Sequence, residues 1–346
     1  MKLLHVLLSA SALSASVLAA DQPWITYEGK DGPGKGKRIV LLAGDEEYRS
    51  EEALPMLAKI LSQRHGFSST VLFSINKETG EIDPNTADNE PGMEALDKAD
   101  LVITSLRFRR WPDDQMKHFV DYVAAGKPII GLRTSTHAFS GLKGDYGAYN
   151  GFGKQVLGEQ WVSHWGRHKS EATRGVIESG VKDDPIMRGV SDIFGDTDVY
   201  EAYPPADAKI LVRGLVLKGM NTADEPADYK KKRSGPEKAE QGVNDPAMPG
   251  VWTRTNPGPI GKDNKVLCTT MGSATDLQNE GLRRLLVNAA YAFTGLEVPA
   301  KADVEYVDPF KPLFYGFNGG RKGLKPSDHA LGKELPAGTV GAPPKK

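Results

Sequence analysis

The sequence predicts an α/β fold: a mostly parallel sheet with helices on both faces. Two observations carry this. From Lys37 onward, continuous apolar runs alternate with stretches of helical periodicity, and the runs lack the polar alternation of a strand with one wet face. Such βαβα order implies right-handed crossovers between parallel strands.

The elements follow in order. KRIVLLAG, ended by Gly44, reads as the first strand. Ser50 can cap the next helix, with Glu51 and Glu52 in its first turn, and EALPMLAKILSQRHG keeps its apolar spacing until Gly66. SSTVLFSI and ADLVITSL are the second and third strands. PDDQMKHFVDYVAAG is a helix opened by Pro112 and closed by Gly126, and KPIIGL is the fourth strand. Further on, EATRGVIES, AKILVRGLVL, PGVWTRT and NKVLCTTMG read as strands, the middle ones as antiparallel additions, and NEGLRRLLVNAAYAFTG as an amphipathic helix. A polar insert spans 218–249, and its lysine run, set among acids and prolines, reads as a solvated loop rather than an anion site. From 299 to 346 a Pro-, Gly- and Lys-rich tail is expected to lie across the domain or to be partly disordered.

Composition narrows the function. With 44 Lys and Arg against 45 Asp and Glu, the formal charge is -1, so no long-range field points to nucleic acid or an anionic membrane. A small neutral molecule is the expected partner. Residues 1–20 combine a lysine, a short apolar stretch broken by serines, and small residues near Ala19, the pattern of a cleaved secretory signal. The expectation is a periplasmic or secreted protein with no membrane span after cleavage. Cys268 is the lone cysteine, so no intramolecular disulfide forms.

Ligands of open parallel sheets bind beyond the carboxyl ends of the strands. The turns there read GDEEYRSEE, LRFRRWP and RTSTHAF, and they bring Asp45, Glu46, Glu47, Tyr48, Arg107, Arg109, Arg133, Ser135 and His137 towards one rim. Glu47 is expected to pair with an arginine, although Asp45 or Glu46 could equally cap the first helix. In EQWVSHWGRHKSE, His164 and His168 share a face. With His137 they could ligate a divalent ion, but a lone His-x-x-x-His pair is a weak signal, and the expectation is no metal and no cofactor. His164 then lines the cleft and His168 opens the next strand at the surface. In GDTDVYEAYP, Asp198 and Tyr200 could hydrogen-bond a polyol, with Asp198 orienting a histidine. Trp111, Trp161 and Trp165 could stack on sugar rings or pack in the core, and Trp165 is placed with the binding residues.

The order of these motifs, from KRIVLLAG through KPIIGLRTSTHAF, the His164 segment, DDPIMRGV and DTDVYEAYP to the ending that starts PGVWTRT, resembles the trehalose-utilisation (ThuA-like) family across Lys37–Gly295. That family belongs to the class I glutamine amidotransferase-like superfamily. The resemblance implies a flavodoxin-like domain over 37–298 and a role in sugar metabolism, with keto-disaccharides as a substrate class. Related amidotransferases carry a nucleophilic cysteine in the turn after KPIIGL; Arg133 stands there, which excludes glutamine hydrolysis. Ser273 stands where family members often have a histidine, and Ser135 lacks the small neighbours of a nucleophile elbow.

The function expected from the sequence is an exported protein that processes a keto-sugar or disaccharide by acid–base chemistry. His137 and His164 would transfer protons, assisted by Glu47 or Asp198, while Arg133 or Arg107 stabilises an enolate or oxyanion. Asp45, Glu46, Tyr48, Arg107, Ser135, Trp165 and Tyr200 would bind the substrate. The alternative is a non-catalytic carbohydrate-binding or interaction module.

Overall fold

The structure, a computed structural model, describes residues 22–234 and 238–341. The leader expected over 1–20 lies outside the described residues, as does the last stretch of the tail. In chain order the strands are β1 (Trp24–Tyr27), β2 (Arg38–Gly44), β3 (Ser68–Phe73), β4 (Leu101–Leu106), β5 (Ile129–Leu132), β6 (Ser163–His164) and β7 (Thr173–Ile177). They continue with β8 (Phe194–Gly195), β9 (Tyr200–Glu201), β10 (Lys209–Val216), β11 (Lys230–Lys232), β12 (Glu240–Gly242), β13 (Met248–Thr255) and β14 (Lys265–Thr269). The helices are α1 (Ser50–His65), α2 (Asp113–Ala124) and α3 (Glu280–Phe293).

Ten strands make one sheet in the order β1-β3-β2-β4-β5-β14-β13-β10-β7-β8. Within it β3, β2, β4, β5 and β14 are parallel. The antiparallel additions expected of AKILVRGLVL and PGVWTRT are present as β10 and β13, but the expectation of a mostly parallel sheet needs correction: β1 also runs antiparallel to β3, and β7 and β8 carry the other edge further antiparallel. The reason is visible in the connections. Only residues 256–264 join β13 to β14, closed by the Asn256 N–H donating to the Asn264 carbonyl at 2.8 Å. A link that short makes a hairpin, whereas parallel neighbours need a crossover of about a dozen residues or more.

In the parallel part the apolar runs are buried on both faces, as their composition predicts. Along β2, Ile39, Leu41 and Ala43 join the core under α1 and α3, while Val40 and Leu42 join the core with Met116, Phe119 and Val123 of α2. Helices thus cover both faces. α2 starts after Pro112, and Gly126 follows its end at φ 70°, as the sequence indicates. α1 differs: its N-cap is Arg49, with φ 59°, and the Ser50 hydroxyl turns back to accept from the Asp45 N–H at 3.0 Å.

The polar insert contains the β11–β12 hairpin rather than only a solvated loop. Lys231, the middle of the lysine run, donates to the carbonyls of His164 and Trp165 at 2.8 and 2.7 Å, and so braces the His164 strand. The described part of the tail crosses α1 and α3. Lys59 meets Asp308 at 2.6 Å, the Leu313 N–H donates to Glu52 at 3.0 Å, and Arg283 donates to the Val304 carbonyl at 3.0 Å.

Candidate functional site

The turn after β2 is shaped by Asp45. Its Oδ1 accepts from the N–H groups of Glu47 and Tyr48 at 2.7 and 3.0 Å, an Asx turn, and its Oδ2 accepts from the Thr134 hydroxyl. Glu47 and Tyr48 are thereby projected past the end of the sheet. After β4, Arg107 and Phe108 come to the same rim. Phe108 has φ 51° and is held there by its N–H to the His137 carbonyl at 3.0 Å. After β5 the chain turns sharply at Arg133, φ 36°, into a short helical turn, Arg133–His137. Positive φ at bulky residues costs about 1–3 kcal/mol and is tolerated where the surroundings over-determine it.

The later chain closes the other side. β6 and β9 pair antiparallel with His164 opposite Tyr200, and the loop between β8 and β9 supplies Asp198. Asp198 is buried to 1% exposure and accepts three donors: Arg133 Nη2 on Oδ1 at 3.1 Å, His168 Nδ1 on Oδ1 at 3.0 Å, and His164 Nδ1 on Oδ2 at 2.8 Å. Burial alone would push its carboxyl up, but the two histidines and Arg133 outweigh it and hold Asp198 well below the usual carboxylate range.

This arrangement assigns protons. A carboxylate only accepts, so His164 must carry its proton on Nδ1, and the neutral ring keeps its lone pair on Nε2. His168 lies between two carboxylates, Nδ1 on Asp198 and Nε2 at 3.2 Å from Glu47. Both its nitrogens thus face acceptors, which favours the imidazolium form. Burial works against that charge, yet the bonds to Asp198 and Glu47 prevail and raise its pKa. Glu47 responds in kind: burial pushes it up, and His168 brings it below its ordinary value. His137 is the opposite case, pushed down to about 3 by burial and by Arg107, Arg133 and His164. It stays neutral.

Glu47, Tyr48, Arg107, His137, His164 and Tyr200 line one cavity of about 180 Å³, together with Phe108, Trp161, His168 and Phe317. Six of the residues expected from the sequence thus share a pocket, and six do not reach it. Arg133 is fully buried behind the wall, sandwiched between the Tyr48 and Tyr200 rings at 4.3 and 4.1 Å and donating to the carbonyls of Asp198 and Thr270. It cannot stabilise a substrate oxyanion; Arg107 and His168 are the cations at the cavity. Asp198 also sits behind the wall, so it orients the histidines rather than touching a ligand. Asp45 moulds the turn. Glu46 is turned to Arg107 and Arg109, at 3.0 Å from the latter, so the carboxylate paired with arginine is Glu46, while Glu47 takes His168. Ser135 donates to the Thr104 carbonyl at 2.9 Å inside the fold. Trp165 is core, its indole donating to the Val243 carbonyl at 2.7 Å. Trp111 is also buried, and Trp161 is the tryptophan at the pocket, 37% exposed. Ser273 accepts from the Asp276 N–H at 2.9 Å at the start of the short turn Asp276–Gln278, and it does not line the cavity.

His168, expected at the surface, is central instead. Its pairing with Asp198 depends on the β6–β9 contact, which no periodicity announces. Phe317 and Tyr315 of the tail were also outside the sequence reading. Tyr315 is fully buried, 5.2 Å from the Tyr48 ring and 5.7 Å from His168.

His164, His168 and Asp198 form the one group among the described residues with the donors and spacing to hold a metal ion. The donor set fits poorly: Arg133 shares the Asp198 oxygen that His168 uses, and a cation placed there would face a guanidinium in a dry site.

No family model matches the chain, and no curated protein sequence matches it. Among solved structures it is similar to a protein described as ThuA-like from Parabacteroides merdae, at 16% identity and TM-score 0.49, covering 77% of this chain and 92% of that one. A second ThuA-like protein, from Bacteroides uniformis, is 12% identical with TM-score 0.45, covering 77% and 95%. A β-galactosidase from Rahnella is 12% identical with TM-score 0.39 and matches over 32% of its own length.

Proposed function

We propose that the chain is an exported ThuA-like protein that performs proton transfer on a keto-sugar or disaccharide. The five parallel strands support the flavodoxin-like part of this reading, because counted among themselves they run 2-1-3-4-5, with the order reversing between β2 and β4 beside the pocket. One observation carries the chemistry. Asp198 accepts from both His164 and His168, which leaves Nε2 of a neutral His164 as a base at the cavity, while Glu47 on the other nitrogen of His168 favours its cation. A base to take a proton beside a carbonyl, and the cations His168 and Arg107 to hold the charge that develops on its oxygen, are what elimination, isomerisation or hydrolysis of a keto-glycoside requires. His164, once it carries the abstracted proton on Nε2, can return it to the product, and neutral His137 can offer a hydrogen bond from the same cavity. Tyr48, Tyr200 and Glu47 offer hydrogen bonds to hydroxyls.

The test is a panel of keto-sugars and disaccharides, with binding measured by calorimetry and products by NMR. Wild type is expected to bind and convert at least one, and His164→Gln to bind it with turnover reduced by about 10²–10⁴-fold, the usual yield of general base catalysis. Full turnover in both His164→Gln and His137→Gln ends the acid–base reading. Binding without conversion favours the second reading, a carbohydrate-binding module, for which the exposed rings of Phe108, Trp161 and Phe317 at the mouth speak.

A further inference from the structure

The tail approaches the pocket through a short segment that is held with unusual care. The Gly316 N–H donates to the Glu47 carbonyl at 2.7 Å, and its carbonyl accepts from Arg49 Nη2 at 2.9 Å. The same Arg49 nitrogen donates to the Glu46 carbonyl at 2.6 Å, so one guanidinium ties both strands of this contact together. Gly316 has φ 148°, and a Cβ there would lie 2.7 Å from Lys169 Nζ and 3.1 Å from the Gly341 backbone. A side chain would strain the backbone and push the segment off the turn. Tyr315, just before it, stacks on Phe314 at 4.3 Å, leans on Tyr48 and His168, and donates from its hydroxyl to the Asp196 carbonyl at 3.1 Å. Phe317, just after it, is 39% exposed, lies 4.9 Å from the Arg107 guanidinium and forms part of the cavity wall.

Each contact bears on a group that the pocket needs. Glu47 is gripped through its own carbonyl, His168 is backed by the Tyr315 ring, and Arg107 is sandwiched between Phe108 at 4.6 Å and Phe317. A segment that only covered apolar surface would not hydrogen-bond the turn carrying Glu47 or set an exposed phenyl ring beside a pocket cation. We infer that Phe314–Phe317 is a working part of the site: Tyr315 and Gly316 are positioning residues that hold Glu47 against His168, and Phe317 is the wall that fixes Arg107 at the mouth. This rests on reading the pocket as the functional site, but its test measures the Glu47–His168 contact directly and needs no substrate.

The experiment follows the ring N–H protons of His168 by NMR in the full chain at one fixed pH, assigned with His168→Gln. Wild type is expected to show both: Nδ1–H, held by Asp198, and Nε2–H, held by Glu47. In Gly316→Ala and in the milder Tyr315→Leu, the Nε2–H signal is expected to be lost to exchange while Nδ1–H persists, because Asp198 keeps its own bonds to Arg133 and His164. Tyr315→Phe, which keeps the ring and loses the hydroxyl, should retain both. Thermal unfolding identifies which variants are folded, and the persisting Nδ1–H confirms that the Asp198 side is intact. The proposal is overturned if a folded Gly316→Ala or Tyr315→Leu keeps both signals as in wild type, or if both signals vanish together in a folded variant. Failure of the sugar panel leaves these outcomes unchanged, so the two readings fall separately.

Discussion

His137 and His168 line one cavity, and their surroundings drive them in opposite directions. His137 belongs to the rim of the parallel strands, where its neighbours are arginines and burial; it is kept neutral. His168 belongs to the later chain, where its neighbours are two carboxylates; they raise its pKa and favour its charged form. The lesson is that the parallel sheet supplies a generic rim, while the segments that return over it decide what each rim residue can do. Arg133 shows the same division. It stands at the sharp turn after β5, where a nucleophile would stand, but Tyr48, Tyr200 and Asp198 bury it as a strut.

The comparison breaks most readily at Asp198. Asp198→Ala leaves Arg133, His164 and His168 without their shared acceptor in a dry site, and is expected to destabilise by about 3–5 kcal/mol in urea unfolding. Glu46→Gln, on the rim side, keeps a hydrogen-bonding group towards Arg107 and the buried Arg109 and is expected to cost less, about 1–2 kcal/mol. Equal losses would mean that the returning segments are no more than a cover.

Acid titration sharpens it. The His137 pKa lies below its unfolded value of 6.5, so its contribution is fully present above pH 6.5 and is lost as pH falls towards 3. His137→Gln should escape that part of the acid loss, about 1 kcal/mol between pH 6.5 and roughly 5 once partial exposure is allowed for. His168 has the reverse sign: its contribution is present below pH 6.5 and fades as pH rises through its raised value. The deficit of His168→Gln should therefore be greatest in acid and shrink in alkali. Matching profiles for the two variants would erase the distinction between the walls.

Smaller effects follow. Glu47→Gln keeps the shape but removes the charge opposite His168, and is expected to cost about 1 kcal/mol of stability and to weaken binding of any sugar found in the panel. Phe317→Ala, at an exposed ring, should change stability by less than about 0.5 kcal/mol in the same unfolding measurement.

What was legible in the sequence follows the same division. The continuous apolar runs of β2, β3, β4 and β5 and the caps at Pro112 and Gly126 are local signals, and they placed the parallel strands and α2. The turns beyond them located Glu47, Tyr48, Arg107 and His137 at one pocket because the strand order does that without further information. The outer antiparallel strands were harder, since β1, β7 and β8 owe their direction to connection lengths and to partners far along the chain. The direction of a side chain was harder still. Arg133, Ser135 and Trp165 sit at the right places in the chain but point into the fold, and only packing decides that. Tyr315 and Phe317 were illegible because a stretch rich in proline and glycine gives no periodicity, whatever it later touches.

Arg49 and Gly316 are hydrogen-bonded across 267 residues of sequence, and that distance has a consequence in time. On a chain made from its N-terminus, the turns carrying Glu47, Arg107 and His137 exist long before Tyr315 and Phe317 do. Contacts of such separation form late, after the local strands and helices have assembled. The cavity therefore remains a three-sided trough throughout synthesis and early folding, with Glu47 untethered and Arg107 bare on one side. The pocket is complete only when this late segment of the wall docks, which makes it a record that the fold beneath it is already in place.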